Sequence, residues 1–111
     1  MTDLNDLTIP LSAIQFNDAG TATLEGHALD ISGVGLALQR VSERFIALGL
    51  EQGELKMVSV TFDVTGESVG EAAFAFDVRI DRRTRTLVFA SGIASQDDRS
   101  VIKATMVYRI A

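Results

Sequence analysis

Residues 25–50 read EGHALDISGVGLALQRVSERFIALGL, and the change of character near Ser32 decides the architecture. Before that point lie glycine, aspartate and the chain's single histidine. After it, Val34, Leu38, Val41, Phe45 and Leu48 recur at three- and four-residue spacing, the repeat of one helical face. Leu36, Ala37, Ile46 and Leu50 widen that arc until Gln39, Arg40, Glu43 and Arg44 form the remaining polar sector. The spacing predicts a mostly buried helix from about Ser32 to Leu50, with Gly49 and Gly53 able to stop it. Of the nine glycines, Gly26, Gly33 and Gly35 cluster at the start of this segment, beside His27 and Asp30.

Outward from the helix the period falls to two. In VSVTFDV, Val58, Val60, Phe62 and Val64 are expected to share one face, and in AFAFDVRI so are Phe74, Phe76, Val78 and Ile80. The charged stretch DRRTR turns the chain into TLVFASGIAS, and QDDRS turns it again into VIKATMVYRI, which predicts four long antiparallel strands. Ala90, Gly92 and Ala94 give the third of them a small-residue face that a helix can approach closely. On the N-terminal side Pro10 opens LSAIQF, which breaks at the turn-forming Asn17, Asp18 and Gly20 before a second short strand, TATLE. No repeat, low-complexity tract or linker interrupts the pattern. The expected organisation is a tail over residues 1–8 and a single domain over 9–111.

Composition narrows the function classes. At 111 residues the chain matches one core, and 47% hydrophobic with 23% charged residues lies in the globular range. A net charge of −5 opposes polyphosphate at long range, so nucleic acid is not an expected partner. No uncharged run approaches the length of a membrane span, and the acidic start MTDLND lacks the layout of a signal peptide, so a non-membrane, cytoplasmic protein is expected. The lack of cysteine removes disulfide and thiolate chemistry and fits a reducing compartment. With one histidine and scattered carboxylates, no metal site is expected. GVG lacks the third glycine and the strand–helix–strand setting of a dinucleotide fingerprint, and Ser-x-x-Lys in SVIK falls on a strand that sends the two side chains to opposite faces.

Taken together, the helix start HALDISGVGLALQRV, the strand VSVTFDV and the hairpins FAFDVRIDRRTRTLVFASGIA and SQDDRSVIKATMVYRI resemble the acyl-CoA thioesterases of the hot-dog superfamily, particularly the phenylacetate-pathway type. The likeness spans roughly Pro10 to Ile110. It implies an α+β hot-dog fold in which a curved antiparallel sheet of about five to six strands wraps a long central helix. It further implies a dimer or dimer of dimers, with acyl-CoA in a tunnel between subunits and coenzyme A entering only as part of the substrate. The family's His-Gly-Gly signature at the helix start falls on Ser32, Gly33 and Val34. Its helical acid falls on Val41, or on Arg40 with a shift of one position, and Glu43 is the acid nearby.

The residues then distribute into roles, each with a plainer alternative. First-turn amides lack internal acceptors and lie at the positive end of the helix dipole, so those around Gly33 can polarise a thioester carbonyl; alternatively Asp30 or Ser32 only caps the helix. Glu43 and Gln39 lie one turn apart and can act as base and positioning partner, or form a solvated face. Ser42 can orient a water or bond back into its own helix. His27 and Asp30 can shape the substrate entrance, and as a histidine–acid pair they raise the alternative of an enoyl hydratase or dehydratase. Arg82, Arg83 and Arg85 suit the phosphates of coenzyme A or simply solubilise a turn. A hot-dog module that binds acyl-CoA or assembles without turning it over is the remaining alternative, favoured by Val41 at the acid position.

Overall fold

The computed structural model describes residues 11–17 and 20–111; the proposed 1–8 tail, Pro10 and Asp18 lie outside the described residues. A 3₁₀ turn at Leu11–Ala13 leads into β1 (Ile14–Phe16) and β2 (Thr21–Leu24), then α1 (Ile31–Leu48). The long strands follow as β3 (Leu55–Val64), β4 (Phe74–Arg83), β5 (Leu87–Gln96) and β6 (Arg99–Ile110). All pair antiparallel in one six-stranded sheet ordered β1-β2-β4-β5-β6-β3. No described helix is long and apolar enough to cross a membrane.

The helix starts one residue earlier than its spacing predicted and stops two sooner. Asp30 is its N-cap, and the Gly49 N–H closes the other end on Ile46 O at 3.0 Å, leaving Leu50 outside. Val34, Ala37, Leu38, Val41 and Ile46 are buried against Phe76, Val78, Ala90, Ala94, Ile102 and Met106 from the sheet. The small-residue face of β5 does what its composition suggested. A Cβ on Gly92 would lie 2.9 Å from Leu38 Cδ1, so glycine is what lets the helix settle this close to the sheet.

Alternation carries β4 and β5 well but fails on β3. Leu55 and Met57 pair with Ile110 and Tyr108, then the register shifts, and Val60, Phe62 and Val64 face the same side opposite Met106, Ala104 and Ile102. Val58 sits in that bulge at 59% exposure, off the face assigned to it by alternation. β3 is also an outer strand with one flank unpaired, and Phe62 and Val64 stay exposed on it. Asp97 and Asp98 make the two-residue link between β5 and β6 with positive φ of 50° and 61°, the backbone of a tight hairpin in residues that tolerate it.

Candidate active site

The leading tip of the helix is occupied from its own side. Asp30 holds extended backbone (φ −78°, ψ 177°) and its Oδ1 accepts from Gly33 N–H at 2.8 Å, while its carbonyl accepts from Val34 N–H at 2.9 Å. A carboxylate there is stabilised both by the hydrogen bond and by the helix dipole. The expectation that Gly33 offers a free amide is therefore corrected. The first-turn N–H groups of Ile31 and Ser32 are the ones without an acceptor among the described residues. The glycines serve packing: a Cβ on Gly35 would come within 3.4 Å of the Phe62 ring, and one on Gly33 within 3.3 Å of Asp30 Oδ1.

A loop from the end of β3 leans on this tip. Ser68 Oγ donates to Leu29 O at 2.5 Å, just ahead of the cap. The loop is in turn clasped by Gln96, a side chain only 1% exposed, whose Oε1 accepts from Val69 N–H at 2.8 Å and whose Nε2 donates to Ala72 O at 2.8 Å and Val69 O at 3.3 Å. Sequence reading assigned Gln96 to a turn. Continuing the alternation of Ala90, Gly92 and Ala94 by one step would have put it on the inner face.

His27 is exposed, with Nδ1 2.8 Å from Glu25 O, so it donates there rather than to Asp30. The His27 and Asp30 side chains are not hydrogen-bonded to each other. Ser32 is exposed at the tip beside them.

Further along the helix, Glu43 is partly buried and accepts from Gln39 Nε2 at 3.3 Å and Arg40 Nη1 at 3.4 Å. The one-turn pairing read from spacing is thus formed. Ser42 faces the opposite way: it is fully buried, and its Oγ donates to Leu38 O at 2.7 Å. Its placement beside Glu43 in a cleft is corrected, and the back-bonded alternative holds. Val41 is buried in the core, so the position expected to carry the acid supplies an apolar side chain and no carboxylate.

The arginines lie at the far end. Arg83 Nη1 donates to Gly49 O at 3.4 Å, and Arg82 stands 5.8 Å over the Phe89 ring on the other side of the sheet, because consecutive strand residues point to opposite faces. Arg85 is exposed in the following turn. An 18-residue helix rises about 27 Å, so within one copy these cations stand about a helix length from the tip. Glu43 and Gly33 are likewise separated by about 15 Å of helix.

Tyr108 is a titrating residue that sequence reading passed over. It is buried beneath the helix and donates to Met106 Sδ at 3.6 Å. Burial pushes its phenol above the ordinary value of about 10, and the nearby Glu43 charge pushes it the same way. A raised folded-state value means this stability is fully present below pH ~10 and lost as pH climbs through that range, because only the unfolded chain gives up the proton readily. Urea melts from pH 8 to 11 are expected to show the fall above pH ~10, with Tyr108→Phe flattening it. No cluster of three or more metal-ligating side chains occurs among the described residues.

A single long helix lying across six antiparallel strands in this order has close counterparts of known structure. The chain superposes on a phenylacetic acid degradation-related protein from Ralstonia eutropha, assigned as a thioesterase, with a TM-score of 0.76 over 93% of this chain and 92% of that one. This is the hot-dog fold. Identity in that hot-dog pair is 20%. Thioesterase superfamily member 2 from Mus musculus gives a TM-score of 0.77 at 11% identity, covering 91% and 84% of the two chains. A Bacillus halodurans protein solved with CoA gives 0.74 at 12%, covering 91% and 73%. No family model and no curated protein sequence matches the chain. The α+β hot-dog class expected from the helix and hairpins is the observed one.

Proposed function

We propose that this hot-dog protein hydrolyses an acyl-CoA thioester at a site completed by a second copy of the chain. The carrying observation is Glu43, a partly buried carboxylate held by Gln39 on the open stripe of the helix, at a distance from the tip that one copy cannot bridge. A neighbouring antiparallel helix would bring one copy's Glu43 to the other's tip, and one copy's arginine hairpin toward the other's ligand. The unpaired flank of β3, with Phe62 and Val64 exposed, is the natural seam for that pairing. The CoA held by the Bacillus halodurans neighbour supports the ligand class.

In this reading the Ile31 and Ser32 amides polarise the carbonyl, and Glu43 of the other copy takes a proton from water as it attacks. The tetrahedral intermediate collapses with cleavage of the carbon–sulfur bond, and CoA leaves as its thiol with the proton returned by Glu43. Gln39 positions Glu43, His27 and Asp30 border the entrance, and Arg82, Arg83 and Arg85 meet the phosphates. Coenzyme A is needed only as part of the substrate, and the cysteine-free chain suits a cytoplasmic setting.

Incubation with a panel of acyl-CoAs and a thiol-reactive dye tests this. Turnover is expected, falling at least about a hundredfold in kcat in Glu43→Ala while CoA-induced thermal stabilisation persists. Stabilisation by CoA without turnover would favour the non-catalytic binding module, a reading the Asp30–Gly33 cap and the buried Val41 support. Neither turnover nor stabilisation would remove both.

A further inference from the structure

We infer that the groove beside the C-terminal half of α1 is a binding site for a short aliphatic carboxylate, distinct from the helix tip. The groove, about 320 Å³, is walled by Phe16, Phe45, Leu48 and Ile80 over a floor at Gly20, with Arg44 on its rim. That volume is at the small end of the range ligand sites occupy. Leu48 is 75% exposed and Ile80 37%, so two large apolar side chains meet water along this groove, and a hydrocarbon laid against them would remove that area from solvent. Nothing can grow from the floor to fill the space, since a Cβ on Gly20 would strike Val78 O at 2.3 Å and the Phe45 ring at 3.2 Å.

Arg44 selects the charge. Its guanidinium lies 4.6 Å over the Phe16 ring, and among the described residues it makes no ion pair, whereas Arg40 and Arg79 each have a carboxylate. No hydrogen bond among the described residues takes up its N–H donors, so the guanidinium is left to hold a carboxylate in two parallel hydrogen bonds. A cation fixed at the end of an apolar trough matches a molecule with one anionic head and one hydrocarbon tail. The trough lies about 18 Å along the helix from Gly33, so it does not depend on the thioester reading and stands or falls separately from it.

Calorimetric titration with octanoate, octanol and acetate tests the assignment. Octanoate is expected to bind saturably at one site, at least about tenfold more tightly than octanol or acetate. Arg44→Gln and Leu48→Glu, both on the exposed helix surface, should each weaken it about tenfold or more while melting like the parent, and Glu43→Ala should leave the affinity unchanged. Equal binding of octanol, or an Arg44→Gln affinity equal to the parent's, would overturn the site. So would an affinity changed by Glu43→Ala but not by Arg44→Gln, which would place octanoate at the thioester site. An absence of octanoate binding together with a change in molecular mass in Leu48→Glu would overturn it too, assigning the groove to a second copy instead.

Discussion

Gly20→Ala is expected to cost about 3 to 4 kcal/mol of folding free energy, a large part of what a domain of this size has. Two effects add. Gly20 sits at φ +83°, where an L side chain is strained by about 1 kcal/mol. The new Cβ would also lie 2.3 Å from Val78 O, a backbone atom of β4 one residue past the end of the β2–β4 ladder, with Val78 N–H donating to Gly20 O at 2.8 Å. Neither side can yield without breaking that ladder. Gly92→Ala is the internal comparison: its nearest neighbour is the tip of Leu38, a flexible side chain, and its φ is ordinary, so about 1 kcal/mol is expected. Thermal melts of the two variants decide the matter, and equal costs would contradict the rigid placement of Gly20.

Gln96→Leu should be nearly as damaging, at about 3 kcal/mol, though its shape changes little. The side chain makes three bonds to the backbone of residues 69 and 72, and leucine would leave Val69 N–H and Ala72 C=O facing an apolar wall with no partner. Hydrogen exchange at Val69 reads the effect locally and should show lost protection before the long strands lose theirs. Ser68, which bonds Leu29 O ahead of the helix, belongs to the same loop, so the damage reaches the candidate site. Retained protection at Val69 would show that the clasp is dispensable.

Much of the fold was legible because the two periods are clean. The apolar spacing from Val34 to Ile46 located the helix, and Ala90, Gly92 and Ala94 identified the surface it rests on. The bulges were not legible, since an extra residue leaves no mark on composition; Val58 therefore looked like a core residue and proved to be the bulged one. The site was legible only in pieces. Gln39 and Glu43 pair as their spacing implied, but Ser42 stands one turn after Leu38 and so shares the buried arc, not the polar sector of its neighbour Glu43, and was misplaced. Charge clustering likewise gathers Arg82, Arg83 and Arg85 without saying that they sit at the opposite end from His27 and Asp30. The open amide at Gly33 failed for a local reason: three residues separate Asp30 from it, the reach of a capping carboxylate.

The placement of β3 has a kinetic consequence. β4, β5 and β6 are neighbours along the chain and can zip through short turns, whereas every rung between β3 and β6 joins residues separated by the whole β4–β5 hairpin. Loop-closure entropy therefore falls most heavily on that ladder, and it should form late, after the meander and helix have made a surface to receive it. Until then the exposed valines and Phe62 of this strand are free to dock on the wrong chain, so refolding yield should drop with protein concentration well before native stability is in question.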